Sequence, residues 1–204
     1  MQKNVALLFA TLAAGAMAAP LEERSNDVKC KVAYEGELEL WMNKPDKSIG
    51  PVVSNKPIKP YGKSMLLFDE ESKDFPGVKF VECNVKGKDN NGDSDATFGR
   101  LELVKDKGMC IEHLPTDDAK LVALGVQKCD YENLKHKSDK QAFRSIWDGK
   151  SDVSGLNVLE KDGKTLHSQW RYKKEGNKKV LALTSDKVHF SHYNNLRVKN
   201  IKKN

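Results

Sequence analysis

The residues of this chain that are best suited to covalent chemistry are its four cysteines, Cys30, Cys83, Cys110 and Cys129. In an oxidising compartment they would form two disulfide bonds, and three pairings are open because spacing alone cannot choose among them. The chain contains no Cys-x-x-Cys motif and no Cys/His cluster, so we expect no zinc site. The sequence therefore predicts cross-links rather than a metal centre.

Catalytic motifs are missing from the sequence. The five histidines are scattered, and no nucleophile-elbow, zinc-protease or phosphate-loop motif occurs. The segment Asp89–Asp95 places oxygens at alternate positions, as a calcium loop does, but Arg100 stands where the closing glutamate of an EF-hand would be. A polar turn explains the segment better. We expect no enzyme, cofactor or metal, although carboxylates that folding brings together would escape this search.

The elements that must position any site are short strands. Apolar and polar residues alternate with the period of a strand in segments such as Glu37–Met42 and Val78–Cys83, and no segment keeps a helical period. Further predictions are a turn at Gly36, a hairpin turn at Asp162–Gly163, and short strands at Val188–Phe190 and Leu196–Val198. About a dozen such strands indicate an all-β barrel or sandwich in a single domain.

The first residues have the pattern of a targeting segment. Lys3, an apolar run and Ala16-Met17-Ala18 as a cleavage site predict a signal peptide over residues 1–18. Residues 19–24 are predicted as a short pro-segment cut after Arg24, and residues 25–204 as the folded domain. Neither the apolar run nor any later segment is long enough to span a membrane. We expect a secreted, extracellular protein, and the leader resembles those of fungal secreted proteins.

The charge of the chain is positive but diffuse. The formal net charge is +6, with basic stretches at Lys173–Lys179 and Lys199–Lys203. A solvated surface is the simplest interpretation of these stretches, and an anionic glycan or a lipid headgroup stays open as a partner. Nucleic acid is not expected, because aromatic residues do not interleave with the basic ones.

Part of the sequence occurs twice. Residues 108–143 contain two short apolar strands that each carry a cysteine, then a polar loop and a Gln-x-aromatic triplet. Upstream, a strand that ends in Cys83 is followed by a polar loop and Phe98. Cys83 to Phe98 spans 15 positions, and Cys129 to Phe143 spans 14. This near-equality predicts a repeated unit.

The repeat also bears on the disulfide bonds. Cys110 and Cys129 would lie on adjacent strands of one unit, which favours a bond between them. Cys30 is then left to pair with Cys83.

The motifs of this segment resemble those of ricin-type β-trefoil lectins. The family's repeat carries Gly-x-Cys-Leu-Asp-Val, Val-Gln-Leu-x-x-Cys and Gln-x-Trp. The segment reads Gly-Met-Cys-Ile-Glu-His from Gly108, Leu-Gly-Val-Gln-Lys-Cys from Leu124 and Gln-Ala-Phe from Gln141. A first unit matches only in its second half, and a third, from Gly155 to Val198, keeps only the pattern of strands. The resemblance implies an all-β, β-trefoil-like single domain of three pseudo-repeats, in which hairpins cap a closed six-stranded barrel.

The resemblance also implies a degenerate carbohydrate site at Glu112, Gln127 and Gln141. Glu112 takes the position of the family's ligand carboxylate, Gln127 stands two residues before the second cysteine, and Gln141 is the glutamine of Gln-x-Trp, which often supports structure. The family's stacking aromatic has no counterpart in this unit, and the asparagine that precedes Gln-x-Trp is replaced by lysine. Without a stacking platform, sugar binding loses the apolar contact that offsets desolvation of the hydroxyls. The other candidate platforms are Trp41, Trp147, Trp170 and Tyr172.

Two functions follow from this reasoning. The first is a secreted lectin-like protein that binds a glycan or a cell-wall polysaccharide. The alternative is a protein-interaction module, effector-like or protease-inhibitor-like, on the same scaffold and with no sugar binding. In that alternative the loops Asn43–Lys63 and Leu114–Lys120 would contact the protein partner, because loops on a rigid scaffold commonly carry binding residues.

Overall fold

The computed structural model describes residues 29–43, 46–83, 96–118, 120–130, 140–158, 169–184 and 194–203. These residues form thirteen strands and no helix, which confirms the all-β prediction for this part of the chain. Accordingly, none of them belongs to a helix with the length and apolarity that crossing a membrane requires. The strands are β1 (Cys30–Asn43), β2 (Asp46–Ile49), β3 (Val52–Val53), β4 (Leu66–Leu67), β5 (Gly77–Cys83), β6 (Ala96–Leu103), β7 (Met109–Pro115), β8 (Leu121–Lys128), β9 (Phe143–Ile146), β10 (Ser154–Val158), β11 (Gln169–Glu175), β12 (Lys178–Thr184) and β13 (Asn194–Lys203).

Six of the strands close into a barrel. Their order around the ring is β1, β5, β6, β9, β10 and β13, and β13 pairs again with β1. All these pairs are antiparallel, so each ring strand has a partner on both sides. In chain order, β2 to β4 fall between the first and second ring strands, β7 and β8 between the third and fourth, and β11 and β12 between the fifth and sixth.

The barrel interior is filled by apolar residues that alternate along the ring strands. Leu38 and Leu40 of β1 pack in one cluster with Phe80, Leu101 and Phe143, and each of the five is at most 1% exposed. Successive side chains of a strand point to opposite faces. The period of two in the sequence is therefore the inside–outside alternation of the barrel.

A buried hydroxyl network joins three ring strands. The hydroxyl of Tyr34 in β1 donates to Oγ of Ser154 in β10 at 2.8 Å and lies 2.8 Å from Oγ of Ser145 in β9. Burial raises the pKa of Tyr34 to about 12, so the phenol is neutral at physiological pH. Because buried polar groups need partners, these contacts hold β1 in register with β9 and β10.

The remaining strands lie outside the ring; β2 pairs with the ring strand β1, and the other six contact one another. β7 and β8 form a hairpin, β11 and β12 form another, and β3 pairs with β4. β12 links the three pairs, since it is hydrogen-bonded to both β8 and β4. Segments from three distant parts of the chain therefore share one surface.

Two local predictions are wrong. Cys30–Asn43 is one continuous strand, and Gly36 lies in it at a register shift between Glu35 and Glu37, which makes a β-bulge rather than a turn. β13 is a long strand rather than a short one. Its length follows from its pairing with β1, which extends from Tyr34 to Met42.

Both disulfide pairings favoured by the repeat are confirmed. Cys30 bonds to Cys83, and Cys110 bonds to Cys129. The upstream half of the repeat nevertheless does not match the downstream half in structure. Cys83 ends a ring strand and is paired in register with Cys30, whereas Cys129 follows β8, which lies outside the ring. The two cysteines occupy different positions in the fold, so their nearly equal spacing to a phenylalanine does not mark equivalent elements.

Several predictions fall outside the described residues. These are the signal peptide over residues 1–18, the pro-segment over residues 19–24, the segment Asp89–Asp95, the hairpin turn at Asp162–Gly163 and the strand at Val188–Phe190.

Candidate functional site

Glu112, the expected sugar-binding carboxylate, is buried in an ion pair. Its Oε1 lies 2.5 Å from Nζ of Lys63, and its side chain is 7% exposed. Lys63 reaches it across Gly125 of β8, where a Cβ atom would lie only 3.3 Å from Lys63 Cδ. The pair ties β7 to the segment before β4, so the Glu112 carboxylate is engaged by the protein itself.

Gln141 is also used within the fold. Its Oε1 accepts a hydrogen bond from the backbone N–H of Asp130 at 3.0 Å, and its Nε2 donates to the carbonyl of Lys128 at 3.0 Å. These bonds join the end of β8 to the start of β9. Gln127 is exposed on β8, opposite Cys110. The structure thus gives two of the three predicted ligands structural contacts and leaves Gln127 open to solvent.

We predict that Glu112→Ala lowers the free energy of unfolding by about 1–3 kcal/mol, because it leaves the largely buried ammonium of Lys63 without its acceptor. Glu112→Gln should cost less, since the amide oxygen can still accept a hydrogen bond. Urea denaturation followed by tryptophan fluorescence measures both. A Glu112→Ala protein with unchanged stability but lost glycan binding would contradict this role and restore Glu112 as a ligand.

The candidate aromatic platforms differ sharply in exposure. Trp170 is 3% exposed and belongs to the core. Trp147 packs against the core and donates its Nε1–H to the carbonyl of Ser151. Trp41 is half-buried, and Tyr172 is 39% exposed. Tyr172 is therefore the platform of the four that a ligand can reach most easily.

Tyr172 stands beside a large cleft formed by described residues. The cleft has a volume of ≈ 1080 Å³ and is lined by residues 52–58, 67–71 and 177–179. Its two sides are held together by the backbone, because Phe68 N–H donates to the carbonyl of Lys179 at 2.7 Å and Val180 pairs with Leu67. The ring of Tyr172 lies 5.4 Å from that of Phe68, a lining residue.

A charged cluster anchors the loop that forms one side of this cleft. Tyr61 donates a hydrogen bond to Oε1 of Glu175 at 3.2 Å, and Nζ of Lys173 lies 2.7 Å from the same oxygen. Lys173 also pairs with Asp117 from the β7–β8 turn. Burial alone would lower the pKa of Lys173, but the hydrogen bonds to Asp117 and Glu175 raise it above its usual value. Lys173 therefore stays charged at neutral pH, and the cluster connects the loop before β4 to β11.

The cleft carries charges of both signs. Its lining contains three carboxylates, Asp69, Glu70 and Glu71, and three lysines at positions 56, 178 and 179. Nζ of Lys179 lies 3.3 Å from Oε1 of Glu70 and 4.8 Å from the centroid of the Tyr172 ring. Both partners of this ion pair are more than 40% exposed. Exposed pairs of this kind contribute little to stability, so a ligand can separate them at low cost.

Two observations on the described part of the chain bear on metal binding and on histidine chemistry. No group of three or more His, Cys, Asp or Glu side chains there is arranged to hold a metal ion. His113 is the one histidine within it, and burial together with the charge of Lys140 lowers its pKa to about 4. Its imidazole is neutral at pH 7. The four other histidines and the segment Asp89–Asp95 lie outside the described residues.

The sequence indicated some segments of this cleft, but it did not indicate that the fold brings them together. Tyr172 was among the candidate platforms, and Asn43–Lys63 was the predicted contact loop of the alternative function. The sequence did not indicate that residues 69–71 and 177–179 face that loop. Asn, Gly, Asp and Lys are common in any surface loop, so their presence in these turns does not indicate a cleft.

No protein-family model matches the chain, and no curated protein matches its sequence.

Proposed function

We propose that this chain is a secreted carbohydrate-binding protein with a β-trefoil fold, whose glycan lies in the cleft beside Tyr172. The observation that carries the proposal is an exposed aromatic ring next to a large cleft that has both apolar and polar lining residues. The sugar site differs from the one that the lectin resemblance implies, because Glu112 and Gln141 have structural contacts.

The order of the strands supports the β-trefoil. Each of three successive parts of the chain contributes two ring strands, and the strands between them lie outside the ring. A β-trefoil has this arrangement of a closed barrel capped by hairpins. The contacts of β12 with β8 and β4 bring the three sets of outer strands together, as three caps around one axis would require.

The chemistry of the cleft suits a sugar. A sugar ring has apolar C–H faces and a rim of hydroxyls, and the lining offers partners for both. Val52, Val53 and Phe68 supply apolar surface, and the Glu70 carboxylate can accept hydrogen bonds from hydroxyl groups. The amides of Asn55 and Asn177 can both donate and accept. Binding pockets commonly combine apolar surface with a few polar groups that orient the ligand.

Secretion is supported by the two disulfide bonds together with the predicted signal peptide over residues 1–18. Disulfide bonds form and persist in oxidising compartments and are rare in the cytosol.

The test of the proposal is a comparison of Tyr172→Ala with wild type on a glycan array and on insoluble chitin and β-glucan. We predict that Tyr172→Ala weakens binding of the retained glycan at least about tenfold, which corresponds to about 1.4 kcal/mol. Loss of an aromatic platform removes both apolar burial and ring stacking, and together these are worth at least that much.

Trp41→Ala is the matched control. Trp41 is also partly exposed and lies under a cation, since Arg197 is 4.8 Å from its ring centroid, as Lys179 is from that of Tyr172. It does not line the cleft. Equal losses in both variants, or a loss in Trp41→Ala alone, would place the sugar elsewhere. Retention of no glycan by wild type would refute the proposal.

The alternative function, a protein-interaction module without sugar binding, is favoured by one observation. The residues that the family uses for sugar are engaged in the fold, as Glu112 pairs with Lys63 and Gln141 bonds to the backbone. This alternative would be preferred if no glycan is retained, but a protein partner binds saturably and substitutions in residues 52–58 abolish that binding.

A further inference from the structure

We infer that the ligand of the cleft is an uncharged oligosaccharide of several sugar rings, rather than a monosaccharide or a charged polysaccharide. This inference rests on the proposed function and specifies the class of glycan that the same cleft takes. Its basis is the cleft's volume, its balance of charge and the presence of acidic and basic residues side by side in its lining.

The volume of the cleft exceeds what one sugar ring needs. Pockets that hold a drug-sized ligand are typically about 300–1,000 Å³, and a single sugar ring is a fraction of such a ligand. The cleft, at ≈ 1080 Å³, lies slightly above that range. A monosaccharide would leave most of the lining residues without contact, whereas a chain of rings would cover them.

The charge of the cleft departs from that of the whole chain. The chain has a formal net charge of +6, but the three carboxylates and three lysines of the cleft give it a formal net charge of zero. Charged sites attract ligands of opposite charge over a distance. The lining of the cleft therefore adds no attraction for a polyanion to the diffuse one that the whole basic chain exerts.

The two signs of charge also come from different segments. The carboxylates belong to residues 69–71, whereas Lys178 and Lys179 follow the β11–β12 turn and Lys56 belongs to the loop before β4. A uronic acid would be attracted by the lysines but repelled by the carboxylates, and a free amino sugar would meet the reverse, so neither gains a net electrostatic attraction from the lining. A hydroxyl both donates and accepts, so it can bond to a carboxylate and to an ammonium group alike. An uncharged sugar chain is therefore the ligand that can use both sides of the cleft.

The test titrates the whole secreted protein with two sets of probes at low and at high salt. The first set contains neutral gluco-, manno-, xylo- and chito-oligosaccharides, each from monosaccharide to hexasaccharide. The second contains oligogalacturonate and the oligosaccharides of chitosan. For at least one neutral series we expect the affinity to rise about tenfold or more with chain length. We also expect this affinity to change less than about twofold with salt, because uncharged ligands are not subject to ionic screening.

A matched pair of charge reversals tests the location. Lys178→Glu makes the cleft acidic, and Lys202→Glu makes the same change in total charge at an exposed position of β13, away from the cleft. At low salt, Lys178→Glu should bind chitosan oligosaccharide about three- to fivefold more tightly than wild type does. Lys202→Glu should match wild type.

The outcomes separate the inference from the proposed function. If a monosaccharide binds as tightly as the longer chains, or if only charged probes bind and salt releases them, the inference is overturned while glycan binding stands. Equal effects of the two charge reversals would also overturn it, since the cleft would then not be the binding site. If none of these probes binds and no array glycan is retained, the proposed function itself fails.

Discussion

Replacing Cys30 and Cys83 together by alanine is expected to lower the free energy of unfolding by about 4 kcal/mol, against about 3 kcal/mol for the Cys110–Cys129 pair. A disulfide bond restricts the unfolded chain more when it closes a longer loop. The first bond joins residues 53 positions apart and the second joins residues 19 apart. Guanidinium denaturation of the two double variants and the wild type measures the difference.

Reduction of the wild-type protein supplies the control for these disulfide variants. A reducing agent should lower the stability of wild type by more than either double variant alone, and it should leave a variant without any of the four cysteines unchanged. A larger loss from the Cys110–Cys129 pair than from the Cys30–Cys83 pair would contradict the loop-length argument. It would show instead that the hairpin of β7 and β8 depends on its bond for correct packing.

Gly99→Ala is expected to destabilise the barrel by about 3 kcal/mol. A Cβ atom at this position of β6 would lie 2.1 Å from the carbonyl oxygen of Val81 and 2.9 Å from Cζ of Phe80. The strand cannot move away, because Gly99 is paired with Glu82 on one side and with Phe143 on the other. The backbone must therefore shift within the ring, and thermal denaturation will measure the cost.

Gly155→Ala is the matched control for the Gly99 variant. Gly155 lies in the ring strand β10, and a Cβ atom there meets no atom within 4 Å. The change should leave stability unaltered or raise it by about 0.4–1 kcal/mol, since alanine restricts the unfolded chain. Similar losses from both alanine variants would show that the close contact at Gly99 is not the cause.

The sequence was sufficient for the fold class because each strand carries its own signal. Alternation such as that of Glu37–Met42 depends on adjacent residues and needs no distant partner to be recognised. The closure of the ring of strands could not be predicted from such local patterns. It depends on β13 pairing with β1, and the alternation of one strand does not say which other strand will lie beside it.

The disulfide bonds were predicted correctly from an argument that was only partly right. Cys110 and Cys129 do lie across the β7–β8 hairpin, as the downstream unit implied. The upstream comparison equated Cys83 with Cys129, although the first ends a ring strand and the second follows an outer one. The pairing of Cys30 with Cys83 came by elimination, and its physical basis is their direct register in β1 and β5.

The residues predicted to bind sugar show why a motif does not fix a role. Glu112 fits the position of a ligand carboxylate, but the lysine that pairs with it is 49 residues away in the chain. No local pattern connects the two. The cleft beside Tyr172 is similar in this respect, because its sides come from residues 52–58, 67–71 and 177–179. Both sites arise where outer strands from distant parts of the chain meet.

The seam between β1 and β13 also bears on how quickly the chain can fold. Tyr34 pairs with Lys203, so the barrel cannot close until residues near opposite ends of the described chain have found each other. Ordering the chain between them costs entropy before the contacts at the seam can compensate. Folds dominated by such distant pairings fold in milliseconds to seconds rather than microseconds. The same closure that protects the finished barrel therefore prolongs the time during which its strands are exposed.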